Sequence, residues 1–433
     1  MPTDPMTGGY LDFDLSIWKE GDRYYAKVID SPAGQSTKCH LPLPFHDLLQ
    51  SDLQLRLENA VLRNVGHFRG PATQGEKILC EFGQQMFDAV FRHAEGIGDL
   101  FKASLNTVGQ YQDKPVGLRV KLRIEPPELA RLPWEYLYDG SKDDWVALRR
   151  RSPIVRFLDI DQPTGDLVVN GPINILGMIA NPGGKKWSDL DVENERRNID
   201  EALKPLVETG KIHLCWVPGE TSRHLLSMMR KQIWHVFHFI GHGGISKDSD
   251  GEGGVGESEE GFIVLRDEKG GPEEVKARDL KLILGDGSLR LVVLNCCESG
   301  QGSIRDPFAS PAAALVRHGI PAVVAMQFPI SDSAAIELAR GFYESLADNL
   351  PLERAITEAR LLVRRKSNIE WGIPVLYTHS RTGRLFSNIQ PSPGASPEQP
   401  EKARPPLDPR SEEARRRLQG LFNNRATVLK KTA

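Results

Sequence analysis

Two short runs hold the residues best suited to covalent chemistry. In "HVFHFIGHGG" an apolar segment leads into Gly241-His242-Gly243-Gly244, and in "LVVLNCCESG" another leads into Asn295, Cys296, Cys297, Glu298, Ser299 and Gly300. A thiol attacks a carbonyl as thiolate, and a histidine within hydrogen-bond reach takes its proton and later returns one to a leaving amine. Backbone N–H groups beside the nucleophile and at Gly243 can cradle the oxyanion, because glycine lets the chain approach closely. Neighbours on a strand face opposite sides, so one of the two adjacent cysteines packs inward while the other leaves the strand. Cys297, later in the run, is the candidate nucleophile; Cys296 reads as a small buried apolar residue.

The elements around these runs decide whether they meet. From residue 171 the chain alternates apolar runs with helical stretches: "INILGMIAN", 191–208, "KIHLCWV", 221–231, "WHVFHFIG", "GFIVLRD", 277–284, "LRLVVLNC", 308–318, "IPAVVAM", 331–349, 351–366 and "IPVLYTH". That alternation predicts an α/β fold with a mostly parallel central sheet and helices on its faces, and right-handed crossovers bring the strand tips to one edge. The segment "IPVLYTH" is expected to close the sheet, and "GHGG" to form a loop. Upstream, "YLDFDLSIW" and "YYAKVID" read as a hairpin, residues 46–64 and 73–93 as helices, "GLRVKLRIE" as a strand and "RRRSPIVRFLD" as an edge strand. After residue 389 the Pro- and Ser-rich "QPSPGASPEQPEKARPPLDP" reads as a linker before one amphipathic helix. The expected regions are an N-terminal α+β region (1–165), the main α/β domain (166–389) and a linker with a terminal helix (390–433).

Composition removes several function classes. The 433 residues carry 55 Lys plus Arg against 58 Asp plus Glu, a formal net charge of −3, so no global field draws nucleic acid or anionic lipid. Five cysteines, odd in number and without CxxC spacing, point to free thiols in a reducing compartment rather than to disulfides or zinc. No apolar run approaches a membrane span and the N-terminus lacks a basic and apolar leader pattern, so the chain reads as soluble and cytoplasmic. Neither GxxxxGK[ST] nor a strand-to-helix GxGxxG is present, "DSDGE" lacks the full calcium-loop pattern, and no cofactor or metal is expected. The dense "LRRRSPIVR" has no interleaved aromatics and reads as a solvated or carboxylate-paired face.

The two runs together resemble the CHAT branch of the caspase-like cysteine peptidases, the clan of separases and metacaspases. The likeness extends through "LRIEPPELARLPWEYLYDG", "RSPIVRFL", "SPAAALVRHGIPAVVAMQFPISDSAAIELARGFYESLADNLPLERAITEAR" and "WGIPVLY", about residues 116–378. It implies a caspase-like α/β sandwich, with the catalytic histidine on His242 and the nucleophile on Cys297. Their separation of 55 positions (297 − 242) agrees with the caspase-type spacing of about 50. His238 matches a common family histidine and is expected to be structural. Metacaspases carry an acid two places before the nucleophile that helps bind a basic P1 side chain; here that place holds neutral Asn295. Asn295, Glu298 and Gln327 are the expected substrate-binding residues, with the backbone amides of Gly243 and Cys297 as oxyanion donors. The resemblance implies a cysteine endopeptidase that cuts a protein partner in bacterial signalling, immunity or cell-death control. No long cleavable linker follows Cys297, so activation by a protein partner, or by release from one, is expected. The alternative is a catalytically silent scaffold of the same fold.

Overall fold

The computed structural model describes residues 9–42, 56–57, 59–61, 73–111, 116–161, 165–183, 187, 190–247, 259–285, 287–296 and 309–391. The chain divides into two compact units, Met1–Ser392 and Pro393–Ala433, and the second, with the expected linker and terminal helix, lies outside the described residues. So does most of the helix expected at 46–64, of which Arg56–Leu57 and Asn59–Val61 are helical.

Strand β1 (Tyr10–Glu20) turns at Gly21 into antiparallel β2 (Arg23–Asp30), which pairs with the short β3 (Cys39–His40). Helix α1 (Gln74–Asp88) starts at Thr73, whose hydroxyl accepts from the Glu76 amide, and buries Leu79, Phe82, Met86 and Phe87 on one face before α2 (Ile97–Gly109). Then come β4 (Gly117–Ile124), the single turn α3 (Pro127–Ala130), a small hairpin of β5 (Tyr138–Asp139) and β6 (Asp144–Trp145), and β7 (Ile154–Phe157). The short β8 (Leu167–Val168) leads to β9 (Ile173–Ile179), α4 (Val192–Glu208), β10 (Ile212–Trp216), α5 (Ser222–Met229) and β11 (Val236–Lys247). After it come β12 (Glu259–Arg266), β13 (Pro272–Lys276), α6 (Ala277–Leu284), β14 (Leu291–Cys296) and α7 (Ala309–Arg317). The last elements are β15 (Ala322–Met326), α8 (Asp332–Ala347), α9 (Leu352–Arg364), β16 (Pro374–Thr378) and β17 (Phe386–Ser387).

One sheet runs in the order β10-β9-β11-β14-β15-β16-β7-β4-β1-β2-β3, with β12 and β13 branching from β11. Its pairs are parallel except β15–β16, β1–β2, β2–β3 and the β11–β12–β13 branch, so the mostly parallel α/β sandwich is as expected. Side-chain alternation sends Val236, Ile240, Leu291 and Val293 into a core with helices α4, α8 and α9. Phe237, Phe239, Val292 and Leu294 enter a second core with α5, α6 and α7.

Three local expectations change. The segment "PIVRF" does not form an edge: β7 lies inside the sheet between β16 and β4. Nor does "IPVLYTH" close the sheet, since β16 joins β15 to β7 and so links the two halves. Among the described residues the main path ends at β10 and β3, and the branch ends at β13. Finally, "GHGG" is strand rather than loop: β11 continues through His242 and Gly243 to Lys247 by leaving β14 and pairing antiparallel with β12, His242 opposite Val264.

Candidate active site

The site forms where β11 changes partners. Its first half pairs in parallel with β14 from Val236–Leu291 to Gly241–Cys296; from His242 onward it pairs with β12. Gly241 marks the change. A Cβ there would sit 2.6 Å from the Phe239 ring and 3.0 Å from the Ala180 carbonyl oxygen, so only glycine lets the chain pass this close.

His242 is 2% exposed. Its ring stacks against Trp187, centroids 5.3 Å apart and planes at 29°, and Phe262 of β12 meets the indole edge-on at 6.4 Å and 80°. Sequence reasoning missed Trp187. Its only signal is a lone tryptophan in the glycine- and lysine-rich "NPGGKKWSD" just past a strand end, and no periodicity draws the eye there. Gly243 follows His242 in the β11–β12 ladder, opposite Ile263. Cys297 and Glu298 lie outside the described residues. The last described pair of the β11–β14 ladder stands one residue before each of His242 and Cys297.

Beneath this end of the ladder, on the face shared by His238 and Val293, Asn295 is 5% exposed. It lines a cavity of about 20 Å³ with His238, Val324, Met326, Leu338 and Tyr343, room for about one water molecule. The His238 Nδ1 and the Tyr343 hydroxyl lie 2.8 Å apart, whereas the His238 Nε2 and the Asn295 Oδ1 are buried without a hydrogen-bond partner. Burial pushes the His238 imidazole down to about 4, so the ring is neutral at ordinary pH.

Gln327 follows β15 and is held by structure around it. Its amide nitrogen donates to the Gly372 carbonyl at 2.8 Å and to Glu135 Oε2 at 3.2 Å. Glu135 is itself buried and bound by Arg156 at 2.8 and 3.1 Å. Burial would raise the Glu135 carboxyl; the Arg156 guanidinium outweighs it and holds the group below the usual carboxylate range. The structure thus brings His242, Gly243 and Asn295 to neighbouring strands and sets Gln327 in a clamp near β16.

Cys39 and Cys80 are poorly placed to act as nucleophiles. Cys39 is buried and donates to the Ala26 carbonyl, and burial raises the pKa of both Cys39 and Cys80. Among the described residues no group of three or more His, Cys, Asp or Glu side chains could hold a metal ion, and no helix is long and apolar enough to cross a membrane.

The family model of the CHAT domain matches residues 94–408, which is most of the chain. The chain belongs to the CHAT family. It is therefore a caspase-like domain of protease type. No curated protein matches the sequence. Among solved structures the CHAT chain is similar to separase in two crystal structures of the Saccharomyces cerevisiae separase–securin complex. One gives 13% identity and a TM-score of 0.35 over 79% of this chain and 23% of that one. The other gives 12% and 0.34 over 76% and 22%. The chain thus spans under a quarter of the length of those separase chains, and scores this low carry no weight for function.

Proposed function

We propose that this CHAT domain is a cysteine endopeptidase, with Cys297 as nucleophile and His242 as general base and acid. The observation that carries the reading is the register of β11 and β14, which pairs Gly241 with Cys296. Residues at one level of a parallel ladder face the same side of the sheet, and neighbouring strands lie about 4.8 Å apart. β11 leaves β14 at His242 for β12, and in this reading Cys297, the residue after Cys296, meets the His242 imidazole at this parting of the two strands.

The chemistry follows from that pair. His242 takes the thiol proton, and the thiolate adds to the carbonyl carbon of the scissile peptide. Backbone N–H groups of Gly243 and Cys297 donate to the resulting oxyanion. As the C–N bond breaks, the imidazolium gives its proton to the leaving amine, and a thioester remains on Cys297. Water then attacks the thioester, yielding its proton to His242, and the acid product leaves with the thiol restored. Asn295 and Glu298 flank the nucleophile along the chain and Gln327 follows the next strand, which makes them the candidate substrate contacts. Residues 166–389 hold the catalytic groups, residues 1–165 complete the sheet, and residues 390–433 serve as a tether. The substrate is a protein partner, and activation by a second protein fits a cytoplasmic role in bacterial signalling, immunity or cell-death control.

The test is a competition among thiols followed by mass spectrometry. Iodoacetamide labels Cys297 faster than Cys215, and faster still than Cys39 and Cys80, whose raised pKa leaves less thiolate. His242→Ala slows Cys297 to the rate of an ordinary thiol, and new protein N-termini seen in cells with the wild type disappear with Cys297→Ala. Equal labelling of Cys297 and Cys215, unaffected by His242→Ala, would leave a silent scaffold instead.

A further inference from the structure

A general base must present a particular nitrogen to its partner, and histidine is poorly equipped to do so unaided. The torsion that turns the imidazole is broad and roughly two-fold, so rotamer preference alone does not fix which nitrogen points where. In activated nucleophile pairs the base is itself oriented by a third group. For His242 one such group is Trp187, stacked at 5.3 Å and 29°, with Phe262 of β12 braced edge-on against the indole at 80°. A stack of two flat rings resists the rotation that the rotamer leaves free. The electron-rich indole face also tolerates the imidazolium that forms in each turnover. Trp187 is half-buried and His242 is 2% exposed, so the stack lies largely out of water.

We propose that Trp187 is a positioning residue for the Cys–His chemistry, holding the His242 ring in one orientation through face-to-face contact. The inference rests on the reading of His242 as the base, and its experiment separates the two. Full-length Trp187→Ala and Trp187→Phe are compared with wild type and with His242→Gln. The first readout is the ring-proton NMR line of His242, in protein labelled at histidine and assigned by its loss in His242→Gln. Ring current from the indole holds the line upfield in wild type, and Trp187→Ala releases it downfield. The second readout is the rate at which iodoacetamide alkylates Cys297. Trp187→Ala lowers it about 10-fold to 100-fold, the scale of a misplaced catalytic group, whereas Trp187→Phe keeps a flat ring in place and recovers most of the rate. Recovery by phenylalanine distinguishes loss of the stack from loss of the fold.

An unmoved NMR line in Trp187→Ala overturns the stack itself. A moved line with an unchanged Cys297 rate, while His242→Gln still slows the thiol, overturns the positioning role and leaves the base in place. If neither Trp187→Ala nor His242→Gln changes the Cys297 rate, the base reading falls and the inference falls with it.

Discussion

The two halves of the sheet solve opposite problems. In the N-terminal half, β4 alternates Leu118, Val120 and Leu122 with Arg119, Lys121 and Arg123, which looks like a strand with one wet face. Arg119 and Lys121 are nevertheless buried. Parallel neighbour β1 sets Asp12 beside Arg119 and Asp14 beside Lys121 in register. The Asp12 carboxylate binds Arg119 and Lys121, Asp14 takes Arg123 through two bonds of 2.6 and 2.7 Å, and Glu353 of α9 takes Arg119 at 2.8 Å. In the other half, the paired stretches Val236–Gly241 of β11 and Leu291–Asn295 of β14 are largely apolar, and the polar atoms they bury, His238 Nε2 and Asn295 Oδ1, have no hydrogen-bond partner. Paired charges hold β1, β4 and α9 together, whereas His238 and Asn295 put their polar atoms against a cavity of about 20 Å³.

Breaking the charge-paired half has the largest expected effect. Glu353→Gln takes from the buried Arg119 guanidinium its fully buried carboxylate, leaving it the more exposed Asp12, and costs about 3 kcal/mol of stability, read from urea unfolding. The β11–β14 half responds to acid instead. His238 is held neutral by burial, its pKa pushed down to about 4, while the unfolded chain protonates its histidines near about 6.5. The unfolded state therefore binds more protons between those values. The contribution is intact above about pH 6.5 and is lost as the pH falls towards about 4, roughly 3 kcal/mol in full. His235 is pushed down to about 4 by burial as well. Urea unfolding of His238→Gln at pH 7 and pH 5 shows a smaller pH dependence than wild type, with the His235 share remaining. The smallest effect sharpens the contrast from the surface: the Arg150–Glu358 pair has two good bonds of 2.9 and 2.8 Å, but Arg150 is 54% exposed. Arg150→Ala changes stability by less than about 1 kcal/mol, and salt reduces even that.

These contrasts also explain what the sequence discloses. The apolar runs of β9, β11, β14 and β15 read as buried strands, and their alternation with helices sets the parallel sheet. Less legible is anything decided by partners distant in sequence. "PIVRF" carries an arginine and follows a proline, features of an edge, yet Arg156 is buried because Glu135 and two backbone carbonyls receive it. "GHGG" has the composition of a loop, because glycine weakens a strand taken alone. It becomes strand because β12 supplies a ladder and the rings of Phe239 and Phe262 leave no room for larger residues at Gly241 and Gly244. Trp187 was invisible for the same reason: its importance lies in a contact made across 55 residues of chain, from 187 to 242.

The central claim is that His242 and Cys297 meet at the end of the β11–β14 ladder. Its most direct measurement uses 1,3-dibromoacetone, whose two reactive carbons alkylate a thiol and then a nearby imidazole with loss of two bromides. The account predicts one dominant product by peptide mass spectrometry, with the Cys297 sulfur joined through the three-carbon bridge to a ring nitrogen of His242. Cys297 alkylated with its second arm free or attached elsewhere, in a folded protein whose His242 peptide is unmodified, would contradict it.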